Sequence, residues 1–190
     1  MSEKSLNIVS FAGSLRKGSI SRRVLKSSIE LTPSAMTITE LGIEEIPMFN
    51  ADLEDAGTPK VVVELKKAVA NSDGLLIVTP EYNNGIPGVT KNIIDWLSRK
   101  NSEHGNVLSG LPIDIIAIAG GSTGSANLVR TQIRQVLVYP GAVPIPNGDI
   151  GLSGRQLVFN HSGQLTGETF IEQIRKNLDD FADWIHRLSN

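Results

Sequence analysis

The sequence predicts an α/β chain: a doubly wound parallel sheet with helices packed on both faces. Three nearly continuous apolar runs, at Leu6–Ala12, 74–79 and Pro112–Ala119, each end in a Gly- or Pro-rich loop. Runs of that length suit strands buried on both faces, as in a parallel sheet. Between them lie stretches with apolar residues three and four apart, and this alternation of strand and helix is the second observation. The third is size. A chain of 190 residues, with no repeat, low-complexity tract or linker, is read as a single domain spanning 1–190.

Taken in order, the first run leads into Gly13-Ser14 and then into a helical pattern over 21–31 that carries Val24, Leu25 and Ile29. A weaker strand is expected at Met36-Thr37-Ile38-Thr39-Glu40. The stretch 41–58 is longer than most connections, which marks it as a candidate functional loop, and 100–111 is another. The helix expected over 59–70 sets Val62, Leu65 and Val69 on one face, with Pro59 suited to its first turn. After the second run and Pro80 comes a helix holding Asn92, Ile93, Trp96 and Leu97, its apolar members turned inward. The third run breaks into Gly120-Gly121 before an apolar-periodic helix containing Leu128, Ile133 and Val136. Prolines make the strand around Ala142-Val143-Pro144-Ile145 an edge candidate. Phe170, Ile174, Leu178, Phe181, Ile185 and Leu188 then trace the amphipathic helix that closes the chain.

Composition removes several kinds of chemistry. With no cysteine there are no disulfides, thiolate nucleophiles, Fe–S clusters or Cys-ligated zinc. Any redox function must therefore reside in a bound cofactor. Eighteen Lys+Arg against 20 Asp+Glu give a net charge of −2, spread along the chain, and no electrostatic footprint for nucleic acid. The N-terminal apolar segment is too short for a signal peptide or a membrane span, so no membrane partner is expected and the location is read as cytoplasmic. His104, His161 and His186 show no metal-ligand spacing, so no metal site is expected. No Ser–His–Asp arrangement is visible either.

Ligands of open parallel sheets bind at the carboxyl ends of the strands, near the point where strand order reverses. Three loops qualify: 13–21, 80–88 and 120–124. The first leaves a strand and enters a helix, so its backbone N–H groups favour an anion. Ser14, Ser19 and Ser21 add hydroxyls, and Arg16 can make a bidentate phosphate contact. The nucleoside-triphosphate loop motif fails, because residue 19 is Ser rather than Lys, and the dinucleotide fingerprint fails for want of a third glycine. A Gly/Ser turn with a helix cap, for which Ser21 is a candidate, remains the alternative. In the second loop, two prolines and two glycines fix an irregular rim that can lie along a flat heteroaromatic ring. Glu81 there reads better as a capping or loop-bracing acid than as a lone general base. Tyr82 can either stack on a ligand or pack. Gly120-Gly121-Ser122-Thr123-Gly124 is either a tight turn or a place where main chain meets a ligand edge.

Gly13-Ser14-Leu15-Arg16-Lys17-Gly18-Ser19, followed by Pro80-Glu81-Tyr82-Asn83, Pro87-Gly88 and Lys91-Asn92-Ile93-Ile94-Asp95-Trp96, resembles the NADPH-dependent FMN reductase family. That flavodoxin-like family includes quinone, chromate and azo-dye reductases. The resemblance spans the whole chain and implies a flavodoxin-like three-layer sandwich, with a five-stranded parallel sheet of order 2-1-3-4-5. It implies FMN, its phosphate held by Ser14, Arg16, Ser19 and Ser21. Pro80, Glu81, Tyr82 and Asn83 would line the isoalloxazine, and the turn of Gly120, Gly121 and Ser122 would approach its other edge. It also implies a homodimer or homotetramer, with the helix of Asp95, Trp96 and Arg99 near subunit contacts. In two places the chain departs from the family pattern, which often has Asn where Ser21 stands and Ser where Gly85 stands. The second departure points to a looser ring-side loop.

The function expected on this basis is an FMN-dependent NAD(P)H oxidoreductase. Hydride passes from NADPH or NADH to FMN, then electrons pass to a small-molecule acceptor (quinone-like, azo or metal-oxyanion) in a ping-pong sequence. The cofactor carries the chemistry, so no catalytic side chain is assigned. Two other readings compete. A flavodoxin-like electron carrier or redox sensor would favour a more acidic chain than this one. An enzyme binding a nucleotide or sugar phosphate without flavin would use the first loop and leave 80–95 unexplained.

Overall fold

A computed structural model describes residues 5–100, 105–120 and 125–189. Its centre is a parallel sheet. Strands β1 (Leu6–Ala12), β2 (Met36–Glu40), β3 (Gly74–Glu81) and β4 (Pro112–Ala119) are joined at the far edge by two short strands, β5 (Val143–Pro144) and β6 (Ile150–Ser153). The order is β2-β1-β3-β4-β5, with β6 also on β4. β5 pairs with the start of β4, at Pro112 and Ile113, and β6 with its end, from Ile116 to Ala119. The fifth position of the expected 2-1-3-4-5 sheet is thus shared by two strands, split by the segment 145–149.

Side chains alternate between the two faces of a strand, and the chain uses both faces. Val9, Phe11, Leu75, Ile77, Ile113 and Ile115 face a core closed by α3 (Lys60–Ala70), α4 (Gly88–Ser98) and α5 (Asn127–Val138). Ile8, Leu76, Val78, Ile116 and Ile118 face a second core, closed by α1 (Ile20–Glu30) and α6 (Glu168–Ser189). This is the expected three-layer architecture. All eight residues of β4 are buried, which accounts for the unbroken apolar run that marks it in the sequence.

Several expectations shift in detail. β3 continues two residues beyond Thr79, through Pro80 and Glu81, in register with Ile118 and Ala119. β1 pairs with β3 only as far as Val78, so Pro80 sits where one side of the strand has no partner and its missing N–H costs nothing. The buried face of α5 is Val129, Ile133 and Leu137; of the three apolar residues that mark this helix in the sequence, Ile133 lies on that face, while Leu128 is 51% exposed and Val136 only half-buried. The stretch 41–58 contains a short helix, α2 (Ala51–Asp55), with Asn50 as its cap. The loop before it is pinned by α4: Pro47 O accepts from Asn92 Nδ2 at 2.9 Å and from Trp96 Nε1 at 2.8 Å. Trp96 is therefore fully buried within its own chain and offers no surface to a neighbouring subunit. Its size and apolarity place it in the core, while Arg99 remains exposed and paired with Glu54.

Asp114 is a buried acid inside β4, within a run that otherwise reads as apolar. Its Oδ1 accepts from Ile115 N at 2.8 Å and from Asn177 Nδ2 of α6 at 3.2 Å. Its Oδ2 and the Oδ1 of Asn177 are both buried without a partner among the described residues. Desolvation pushes the carboxyl up to about 7, against the hydrogen bonds from Asn177 and Ile115.

Candidate functional site

At the carboxyl end of the sheet, the loops after β1, β3 and β4 converge on one cleft of about 230 Å³. From the first loop it is lined by Ser14, Arg16, Ser19 and Ser21, and from the second by Pro80, Glu81 and Tyr82. Gly120 contributes from the third loop, and Ile20, Ile118 and Gly154 complete the lining. Asn83 stands outside it, on the exposed turn that follows Tyr82. Gly121, Ser122 and the rest of 121–124 lie outside the described residues, as does His104.

The first loop is organised by the start of α1. Ser19 has an extended backbone, φ −65° and ψ 130°, and its hydroxyl accepts from Arg22 N at 3.4 Å. Ser19 is therefore the N-cap, and the helix begins one residue before Ser21. Ser21 falls inside the first turn, where its Oγ accepts from Ser19 Oγ at 3.4 Å. Ser14, Ser19 and Ser21 are all at least 96% buried, being 3%, 4% and 1% exposed, yet all three line the cleft. Polar groups removed from bulk water in this way need partners, and theirs come mainly from within the same loop.

The cations of this loop divide. Arg22 is committed to Glu44, and its hydrogen bond, with its charge, holds that carboxyl below the usual carboxylate range. Arg16 is exposed at the cleft and has no side-chain partner among the described residues. Gly13, at the root of the loop, is fixed by space. A Cβ there would fall 2.1 Å from Thr90 Oγ1 and 2.5 Å from Thr79 Oγ1. These two hydroxyls are 2.9 Å apart and join β3 to α4, so the first loop crosses directly over the base of the second.

The second loop is held from a distance. Glu81 Oε2 accepts from Val129 N at 3.0 Å, in the first turn of α5. The N-cap of that helix, Ala126, has no hydroxyl or carboxylate to offer, so Glu81 satisfies one of its open N–H groups. The bracing role anticipated for Glu81 is what the geometry displays. Tyr82 is half exposed, and its hydroxyl lies 3.3 Å from Ser14 Oγ, linking the two loops across the cleft.

Ile118 could be read from the sequence only as part of a core strand. Ile20 and Gly154 also went unmarked. Gly154 follows β6, and the alternation Ile150-Gly151-Leu152-Ser153 is the signal that could have located that short strand and the turn beyond it.

Comparison with known proteins decides the family. The model for NADPH-dependent FMN reductases matches residues 6–156. This chain belongs to that family. Over 183 residues it is 33% identical to an NAD(P)H-dependent FMN reductase of Pseudomonas aeruginosa, covering 96% of this chain and 97% of the relative. It is 34% identical over 191 residues to a quinone reductase of Escherichia coli, covering 99% of each. Among solved structures, a flavoenzyme NAD(P)H:(acceptor) oxidoreductase, FerB, from Paracoccus denitrificans superposes with a TM-score of 0.82 at 29% identity, over 96% of this chain and 98% of that one.

As a member of the NADPH-dependent FMN reductases, the chain is an oxidoreductase with FMN as cofactor and a reduced nicotinamide nucleotide as reductant. The donor set fits that cofactor. FMN joins a flat ring system to a terminal phosphate. The cleft offers three serine hydroxyls, a guanidinium and a helix N-terminus at one end, and a proline-stiffened wall at the other. Among the described residues no His, Cys, Asp or Glu side chains cluster to hold a metal, and no helix is long and apolar enough to cross a membrane.

Proposed function

We propose that residues 1–190 act as one FMN-binding domain, with the cofactor in the cleft at the carboxyl end of the sheet. Ser14, Arg16, Ser19 and Ser21 hold the phosphate. Pro80, Glu81, Tyr82 and Asn83 lie along the ring, and Gly120, Gly121 and Ser122 along its other edge. The observation that carries this reading is the convergence of three loops on one cleft, with three buried serine hydroxyls at the start of a helix. When bound, FMN supplies the redox chemistry, accepting hydride from NADPH or NADH and passing electrons to a quinone-like, azo or metal-oxyanion acceptor in a ping-pong sequence.

The chain's own residues bind and orient. Arg16 adds a full positive charge to the hydroxyl donors, and charge-assisted bonds of this kind are about twice as strong as neutral ones. Pro80 stiffens the wall where β3 leaves the sheet. Glu81 is engaged by the main chain of α5, so no acid–base step is assigned to it. Quinones are the favoured acceptor class, supported by the quinone reductases among the relatives. The working form is proposed to be a cytoplasmic homodimer or homotetramer; the absence of cysteine and the exposure of Met48, Val138 and Tyr139 support this.

Initial rates of NADPH and NADH oxidation at several fixed quinone concentrations test the function. Parallel double-reciprocal lines, with no added partner protein, are expected. A protein that takes up FMN yet oxidises neither nucleotide without a partner would be an electron carrier instead.

A further inference from the structure

We propose that Gln132 of α5 is a positioning residue for the flavin-side loop, and that Gly85 is the residue that gives it room. The proposal rests on the cofactor reading above, but its structural half stands independently. Beyond Glu81 the chain reverses in a two-residue turn. Tyr82 N donates to Gly85 O at 3.2 Å, and Gly85 N donates to Tyr82 O at 2.9 Å. The two residues between, Asn83 and Asn84, have φ of 50° and 59°. Positive φ at both central positions is the signature of a type I′ turn, and Asn is among the few non-glycine residues that tolerate it.

This turn projects past the end of the sheet. β1 has stopped pairing with β3 at Val78, and the last β4 partner is Ala119, opposite Glu81. Support comes instead from α5. The carboxamide of Gln132 uses both its ends, with Oε1 accepting from Ile86 N at 3.1 Å and Nε2 donating to Asn84 O at 3.1 Å. A primary amide is suited to this, because one group must accept from one side of the turn and donate to the other. Glu81 binds the same helix one turn earlier, at Val129 N. Tyr82 and Asn83 therefore sit between two attachments to α5.

Gly85 makes the approach possible. Its own φ is outside the left-handed region, so backbone freedom does not explain it. A Cβ there would lie 3.1 Å from Gln132 Oε1 and 3.7 Å from Nε2, closer to the oxygen than such atoms ordinarily approach. A side chain at 85 would push the carboxamide back by a few tenths of an ångström, against its bond to Ile86 N. The glycine expected to loosen this loop thus admits the group that braces it.

The test is a double-mutant cycle with three readouts on the full chain: amide hydrogen exchange at Ile86, the visible circular dichroism of bound FMN, and the FMN dissociation constant. In Gln132→Ala, Ile86 exchange should accelerate, the flavin dichroism should change, and FMN should bind about tenfold more weakly, the order expected for losing one or two neutral hydrogen bonds. The thermal midpoint without FMN should stay near the wild-type value, because Gln132 is only half-buried. Gly85→Ala should reproduce these changes and add little to Gln132→Ala. Gln132→Glu, which keeps the acceptor and loses the donor, should retain Ile86 protection. Faster Ile86 exchange with unchanged flavin dichroism and FMN affinity would reduce Gln132 to a structural brace and overturn the positioning role. Fully additive effects would overturn the pairing with Gly85. Wild-type protein that bound no FMN would defeat the cofactor reading, and Ile86 exchange would still report the brace.

Discussion

The loops after β1 and β3 form opposite walls of one cleft but are built on different plans. The first, residues 13–21, is largely self-contained: Ser14, Ser19 and Ser21 bond to neighbours in the same loop or in the first turn of α1. The second, residues 80–88, is shaped from outside, by Val129 N and Gln132 about fifty residues further along the chain. Binding energy and fold stability should therefore be separable at Arg16, which is exposed in the first loop, and coupled at Gly13, where the loops cross, and at Glu81, which caps α5.

The largest expected effect comes where the loops cross. Gly13→Ala drives a Cβ into the Thr79 and Thr90 hydroxyls, and overpacking of this kind costs about 1–3 kcal/mol or more. Chemical denaturation should show that loss together with weakened FMN binding. If stability were unchanged, the loops would not be in the contact described. Asp114 supplies a control remote from both loops. Its carboxyl is raised in the folded chain, so the folded state holds a proton that the unfolded state releases near pH 4. The stability this contributes is present in full below about pH 4 and is lost as pH rises toward about 7. Asp114→Asn should flatten that decline in a series of unfolding curves and leave FMN affinity alone. A slope identical to the wild type would show that Asp114 is ionised throughout.

Arg16→Ala should separate binding from folding. Loss of a charge-assisted phosphate contact should weaken FMN by about 1.5–3 kcal/mol, roughly 10- to 150-fold, with the unfolding midpoint in place. An unchanged FMN dissociation constant would remove Arg16 from the site. Glu81→Ala should do the opposite and couple the two, costing about 1 kcal/mol of stability as α5 loses a bond at its first turn, and loosening FMN as well. If thermal melts showed no loss, the capping bond would carry no weight.

The same contrast explains what could be read from the sequence. Buried strands announce themselves by unbroken apolar runs, and loops that leave them by glycine and proline. The strand positions and the first loop's serines are accessible for that reason, whereas the sheet order rests on the family resemblance. Local chemistry also made Glu81 recognisable as a brace, although not what it braces. The missing parts depend on contacts between distant segments. Gln132 is an ordinary polar residue on a helix until its carboxamide is seen between Asn84 and Ile86. Asp114 hides in an apolar run because its partner, Asn177, lies 63 positions away. β5 falls within the strand expected around 142–145, but the split of the fifth position is not legible, because β6 is only four residues long and its alternation is a weak signal.

The measurement that bears most directly on the cleft is a crystal structure of the protein grown with FMN. Density for the phosphate is expected against Ser14, Arg16, Ser19 and Ser21, with the ring along Pro80, Glu81 and Tyr82. FMN bound elsewhere on the chain, or no uptake by protein shown to be folded, would contradict the assignment.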